Sequence, residues 1–402
     1  MKYSAQEVIQ YVNEEDVKFI RLAFCDVYGR QKNISIMPSE LPRAFKYGIT
    51  FDASSIDGFS DEIYSDLFLR PDPETLAVLP WRPEHGRVVR MFCTITKPNG
   101  EPYECDTRNI LKNAIADAKK SGVEFYFGSE LEFYLFKLDE NGNPTNTPYD
   151  EAGYMDMAPD DRGENIRREI CLNLEQMGIY PESSHHEEGP GQNEIDFRYS
   201  KPMCAADDTM TFQTVVKTIA RRNGLCADFT PKPLPGKPGN GFHINMSVKN
   251  DENHVILPQM LAGIMKYIQE ITVFLNPVEA SYERFGHEKA PKYISWSSEN
   301  RSQLIRIPAA SGEYRRAELR SPDPMANPYL AYALLIYAGL YGIENKLDLP
   351  PAGDVNFFKA DRSIQKQYRE LPETLERAKK ISLDSTFVAE HLPQSIINIY
   401  CR

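Results

Sequence analysis

The sequence contains no CxxC pair. Its seven cysteines, Cys25, Cys93, Cys105, Cys171, Cys204, Cys226 and Cys401, are scattered and odd in number. That argues against structural zinc and a disulfide framework, and for a reduced, cytoplasmic protein. No basic block is present and the formal net charge is −12, so nucleic acid is not expected as a partner. No apolar run is long enough for a bilayer, and no membrane partner is expected. The longest, PYLAYALLIYAGLYGI from Pro328 to Ile343, spans about 16 residues where ~20 are needed, and reads as a core helix. No cationic and then apolar leader opens the chain; MKYSAQEVIQYVNEEDV reads as an amphipathic helix. P-loop and Rossmann fingerprints, internal repeats and low-complexity tracts are all absent.

What is present fills two domains. At 402 residues the chain exceeds one small domain, and the PNGEP cluster at Pro98–Pro102 marks a boundary. Domain 1–100 is expected to hold a helix, a hairpin turning at Tyr28-Gly29, and a strand over RVVRMFCTITK. Domain 101–402 mixes helices and strands. TRNILKNAIADAKKSG and DRGENIRREICLNLEQMG read as helices closed by Gly122 and Gly178. Strands are expected at VEFYFGSELEFYLF, NEIDFRY, GFHINMSV, SQLIRIP and RRAELRS.

Several of these strands carry polar residues at period two. Glu130 and Glu132 share one face, as do Glu194 and Asp196, then His243, Asn245 and Ser247, then Arg316, Glu318 and Arg320. The opposite faces hold Phe242, Ile244, Met246 and Leu319. For any one strand a solvated outer face explains this. Recurrence with Arg, Glu and His instead of Lys points to a wet cavity that binds anions and metals.

Glu130, Glu132, Glu187, Glu194 and Glu318 with His243 make five carboxylates and one imidazole, a set suited to Mg²⁺ or Mn²⁺. His185 and His186 are either further ligands or buried, hydrogen-bonded side chains. Arg284, Arg301, Arg306, Arg316 and Arg320 crowd one stretch of chain, and guanidinium groups bind carboxylate and phosphate bidentately. Carboxylate-held metals beside clustered arginines imply phosphoryl transfer.

The motifs FDASSIDGF, GSELEF, HHEEGPGQNEIDF, KPLPGKPGNGFHINMS, SWSSENRSQLIRIP and ELRSPDPMANPYLAYALL occur in this order. Together they resemble the class I, bacterial-type glutamine synthetases over nearly the whole chain. The resemblance implies an α+β protein. It would have an N-terminal β-grasp domain and a C-terminal catalytic domain, an antiparallel sheet with helices like that of creatine kinase. It implies a homododecamer of stacked hexameric rings, with active sites shared between subunits. The implied reaction joins ammonia to L-glutamate, with ATP as co-substrate, through γ-glutamyl phosphate. Two relatives of the same fold remain as alternatives: a γ-glutamyl ligase for another amine, and a non-catalytic ring-forming sensor or regulator.

Residue roles follow from the same resemblance. One metal falls to Glu132, Glu187 and Glu194, another to Glu130, His243 and Glu318, with two or three Mg²⁺ or Mn²⁺ ions per site. Arg301 and Arg306 would meet the γ-phosphate and nucleotide, Arg301 also acting in catalysis and glutamate binding. Glu182, Asn245, Ser247 and Arg316 fall on the ATP side; Arg284, Arg320 and Gly239 would hold glutamate. Asp52, supported by Ser55, would enter a neighbour's site and bind ammonium.

Three departures stand out. Lys289 occupies the flap position where the family places a glutamate, with Glu288 one earlier as its substitute. Pro238 stands where an asparagine is usual. The tyrosine segment associated with adenylylation is missing, so that control is not expected.

Overall fold

The computed structural model describes residues 3–402 apart from 60–64, 83–84, 251–255, 288, 309–315 and 354. The chain divides into two compact units, Met1–Ile110 with Leu172–Tyr180, and Leu111–Cys171 with Pro181–Arg402.

The first unit is built on β1 (Val17–Cys25), β2 (Gln31–Ile36), β3 (Ile49–Asp52), β4 (Asp66–Pro71), β5 (Ala77–Val78) and β6 (Arg87–Thr96). Its strands run in the order β2-β1-β6-β4-β3, with β5 beside β6. β1 and β6 are parallel; the other pairs are antiparallel. The expected hairpin forms, because Asp26 accepts from Tyr28 N (3.1 Å) and Arg30 N (2.9 Å) and Gly29 takes φ +78°. Helix α1 (Ala5–Glu14) starts at a reciprocal Ser4–Glu7 capping box; α2 (Leu41–Tyr47) precedes β3. At the end of β3, the Asp52 carboxylate accepts from Ser54 N (2.9 Å) and Ser54 Oγ (2.7 Å). That turn leaves Asp52 and Ser55 exposed.

The two expected helices appear as α3 (Thr107–Lys120) and α4 (Glu164–Gln176), with Gly122 and Gly178 at positive φ just beyond them.

In the second unit β7 (Val123–Leu138) is the central strand. The sheet includes β8 (Pro144–Pro148), β9 (Pro181–His186), β10 (Gln192–Phe197), β11 (Leu225–Asp228), β12 (Phe242–Asn250), β13 (Trp296–Ser298), β14 (Ile305–Ile307) and β15 (Ala317–Leu319). The order is β13-β14-β15-β12-β7-β10-β9, with β8 and β11 also on β7. Among the described residues, only β13–β14 is parallel in this sheet.

One face of the sheet rests on helices. Phe125, Phe127, Leu131, Phe133 and Leu135 of β7 are buried. Beneath them run α5 (Pro202–Arg222), α6 (Leu257–Leu275) and, after the short α7 (Glu279–Tyr282), α8 (Pro328–Glu344). Phe127 stacks on Tyr332 of α8 with centroids 4.4 Å apart. Ser129, the polar exception on this face, is satisfied by Thr209 (2.8 Å) and the Tyr332 hydroxyl (2.6 Å). Helix α8 is apolar all round, as a helix enclosed by protein must be. No helix among the described residues is long and apolar enough to cross a membrane. Gly263 of α6 and Gly342 of α8 let the two backbones touch: a Cβ on Gly342 would lie 2.1 Å from Gln259 O. Helices α9 (Arg362–Gln365), α10 (Leu375–Leu383), α11 (Thr386–His391) and α12 (Gln394–Cys401) complete the unit.

Candidate active site

Strand alternation sends Glu130 and Glu132 of β7 to the face away from the helices. Antiparallel register extends each into a row. Asp196 of β10 and His243 of β12 flank Glu130. Glu194 of β10 stands beside Glu132, and His185 of β9 beside Glu194. One step along, Asn245 pairs with Glu318, which pairs with Arg306. Charged residues far apart in the chain thus meet on one patch.

The candidate ligand atoms form overlapping groups. Those of Glu130, His243 and Glu318 lie within 4.8 Å of one another. The same limit holds for Glu132 with Glu194 and His243, for Glu187 with Glu194 and His185, and for Glu130 with Glu194 and Asp196. The first triad consists of the residues expected to hold one ion; Glu132 and Glu187, expected with Glu194 for another, fall in separate groups that share Glu194. Asp196, assigned no role from the sequence, joins them. The two histidines divide: His185 lines the cavity, with Nε2 3.4 Å from Glu194 Oε1. His186 is wholly buried, Nε2 2.9 Å from Asp150 Oδ1 and Nδ1 2.7 Å from the Glu187 carbonyl oxygen.

Charge is unevenly balanced across the patch. Burial opposes ionisation of Glu130, but hydrogen bonds from His243 and Asn245 hold its carboxyl at about 2. Its neighbours go the other way. Burial, then Asp196 and Glu132, drives Glu194 well above the carboxylate range. Burial, then Glu130, pushes Asp196 to about 7; burial, then Glu132, pushes Glu187 to about 7. Asp196 Oδ1 is buried without a hydrogen-bond partner. Gly241 keeps space open here, since a Cβ on it would lie 2.8 Å from His243 Nε2 and 3.4 Å from Glu132 Oε1. An acidic wall short of positive charge, made of carboxylates and imidazole around an open space, fits Mg²⁺ or Mn²⁺.

The arginines close the other side. A cavity of about 360 Å³ is lined by Glu130, Glu132, Glu187, Glu194 and His243, and also by Gly239, Arg284, Arg301, Arg306, Arg316 and Arg320. A second, of about 240 Å³, shares Glu130, Asp196 and Arg316 and is lined by Glu182, Asn245 and Ser247. Buried Glu318 accepts from Arg306 Nη1 (2.8 Å) and from Arg320. Arg316 Nε donates to Asn245 Oδ1 (2.8 Å), and Asn245 Nδ2 to Glu130 Oε1 (2.6 Å). Arg284, just beyond α7, is buried and donates to Ser321 O (3.1 Å).

The glycine loop is pinned by residues that motif reading did not single out. Gln192 Nε2 donates to Glu132 Oε2 and to Gly239 O, each at 3.1 Å. The Tyr134 hydroxyl donates to Pro238 O (2.6 Å). Proline is tolerated there because the contact uses its carbonyl. Gly239 must be glycine on packing grounds, because a Cβ would come within 2.4 Å of Pro231 O. Gln192 follows the GPG turn, and that adjacency was its only signal.

Asp52 and Ser55 belong to the first unit, and Glu288 lies outside the described residues. Lys289 lines the larger cavity, ion-paired with Glu188. Its charge therefore does not face the patch bare.

Comparison with known proteins bears on this constellation. Residues 104–402 match the family model for the glutamine synthetase catalytic domain, and residues 16–98 the model for the glutamine synthetase β-grasp domain. The chain belongs to the glutamine synthetase family. The expected pair of domains, β-grasp then catalytic, is present. A glutamine synthetase of Methanosarcina mazei is 46% identical over 411 residues, 98% of this chain and 92% of that protein. One from Clostridium saccharobutylicum is 46% identical over 380 residues, 91% of this chain and 86% of that protein. One from Staphylococcus aureus is 41% identical, with coverage of 98% and 92%. Among solved structures, a GmaS/ADP complex superimposes with a TM-score of 0.88 at 26% identity, covering 100% of this chain and 94% of that one. Glutamine synthetases use ATP and divalent metal ions, and the donor patch and arginine wall suit both.

Proposed function

We propose that this glutamine synthetase family member joins ammonia to the γ-carboxylate of L-glutamate. The γ-phosphoryl group of ATP passes to the glutamate γ-carboxylate. Ammonia then attacks the γ-glutamyl phosphate carbonyl and expels phosphate, giving L-glutamine, ADP and phosphate. The observation that carries this reading is one cavity holding Glu130, Glu132, Glu187, Glu194 and His243 opposite Arg284, Arg301, Arg306, Arg316 and Arg320. Carboxylates facing guanidiniums are what phosphoryl transfer between two anionic substrates requires.

Glu130, His243 and Glu318 would hold one divalent ion on the nucleotide side. Glu132, Glu187 and Glu194 would hold another on the glutamate side, with the Asp196 group available for a third. Such ions, Mg²⁺ or Mn²⁺, neutralise phosphate charge when bound. Glu182, Asn245, Ser247 and Arg316 line the ATP end; Arg301 and Arg306 meet the γ-phosphate. Arg284, Arg320 and Gly239, with Arg301, orient glutamate. Asp52, supported by Ser55, acts in a neighbouring subunit's site, where it binds ammonium and accepts a proton so that the nucleophile is neutral. Hydrogen bonds from Ser54 hold its carboxyl low, which supports a charged role. Glu288 would close the flap. The family resemblance supports a domain boundary near residue 100, stacked hexameric rings and a cytoplasmic location.

The test measures glutamine and phosphate formed from ATP and L-glutamate with Mg²⁺ or Mn²⁺, first with ammonia, then with ethanolamine and a polyamine. Ammonia-dependent glutamine formation is expected. Its absence overturns the reading, and faster turnover with another amine replaces it with a γ-glutamyl ligase for that amine.

A further inference from the structure

Three chain segments meet at one corner of the larger cavity. Glu188 follows β9, Lys289 lies beyond α7, and Tyr154 sits in the loop before α4; all three line the cavity. Lys289 Nζ is ion-paired with Glu188 Oε1 and lies 4.9 Å from the centre of the Tyr154 ring. The Tyr154 ring meets His185 edge-on at 5.4 Å between centroids. His185 Nδ1 is in turn 3.6 Å from Glu187 Oε1. The corner is therefore continuous with the acidic patch.

A carboxylate beside an aromatic face is the chemistry that holds an ammonium ion. Here the chain supplies that ion itself. Lys289 is held with φ +68°, in the left-handed region that side chains rarely adopt, as its ammonium meets Glu188. The pair is not sealed: the Lys289 and Glu188 side chains are 40% and 38% exposed. An ion pair so exposed is weak enough to be displaced.

We propose that Lys289 is a tethered cation that competes with incoming ammonium for the Glu188–Tyr154 corner, and so sets which amine the site accepts. Ammonium is small enough to share the corner once Lys289 swings aside. A primary alkylammonium needs the volume that the lysine stem fills. Lys289 is thus a specificity-determining residue, raising the ammonium concentration required and excluding larger amines. The inference rests on the amine-ligating reading above.

The test compares the full-length protein with Lys289→Met, Glu188→Gln and the double variant. Replacing Lys289 is expected to lower KM for ammonium roughly two- to fivefold relative to KM for ATP, the range of an exposed ion pair. It is also expected to raise kcat/KM for ethylamine relative to ammonia. In the Glu188→Gln background both gains should vanish, because the corner is lost with the carboxylate. Unchanged KM and selectivity in Lys289→Met, or gains that persist without Glu188, overturn the proposal. A second measurement needs no turnover. Acylation of Lys289, normalised to the other lysines by mass spectrometry, should rise in ammonium chloride but not in sodium chloride. Equal labelling in both salts overturns the proposal even if the protein forms no glutamine; failure of turnover alone counts only against the ligase reading.

Discussion

His243 Nδ1 lies 3.5 Å from Glu130 Oε2 and 3.6 Å from Glu318 Oε1, although the three residues come from three strands. Glu130 and His243 are direct cross-strand partners. The Glu130 carboxyl is held low by His243 and Asn245 against burial.

Asn245 holds Glu130 on one side and Arg316 on the other. Asn245→Ala should therefore weaken Mn²⁺ binding by about 10- to 100-fold, the usual cost of removing a residue that orients a metal ligand. Calorimetric titration with Mn²⁺ checks this. An unchanged affinity would mean that Glu130 is oriented without Asn245.

Gly241 borders the open space between His243 and Glu132. Gly241→Ala should cut divalent-metal affinity and glutamine formation by about tenfold or more, because the added methyl group displaces a donor. Full metal affinity in Gly241→Ala would refute the assignment of that space.

The α6–α8 contact depends on missing side chains. Gly342→Ala puts a methyl group 2.1 Å from Gln259 O, so the helices must separate. A loss of about 1–3 kcal/mol is expected from overpacking, or more because backbone must move. Denaturant unfolding measures it; a loss under 0.5 kcal/mol would show that the interface is looser than described.

Burial pushes the His391 imidazole below its ordinary range, while Glu390 and Asp117 pull weakly the other way. Its ring stacks on Tyr337 at 4.0 Å. Below the unfolded pKa of about 6.5 the unfolded chain binds a proton that the folded chain resists. His391 thus costs stability as pH falls through that value. His391→Phe keeps the stacking and removes the proton, so melting temperatures at pH 7.5 and 5.5 should show the variant gaining on the parent at the lower pH. A gap independent of pH would contradict the half-buried, neutral state.

Lys289 shows where motif reading stops short. Read alone, a lysine in a flap position threatens an ammonium site with repulsion. The structure supplies Glu188 as its partner, a residue about a hundred positions earlier that no local pattern links to it. Gln192 and Tyr134 escaped notice for a similar reason: each acts by holding a loop that is remote in sequence. His185 and His186 are adjacent and identical, and only burial separates the cavity residue from the one locked to Asp150.

Period-two alternation by itself determined that Glu130 joins Glu132, Glu194 joins Asp196, and His243 joins Asn245 on a face, because successive side chains on a strand point to opposite sides. The Ser4–Glu7 capping box and the glycines Gly29, Gly122 and Gly178 likewise determined where α1 begins, where the first hairpin turns and where α3 and α4 end, since those are local backbone constraints. Which faces meet was decided only in three dimensions. Pairing β10, β7, β12 and β15 in one register set Asp196, Glu130 and His243 side by side, with Glu318 one step along opposite Asn245. A shift of one residue would have sent each carboxylate into the helices. That register is chosen by burying Phe127, Leu131 and Phe133 against α5 and α8, a collective packing condition that no short stretch of sequence contains.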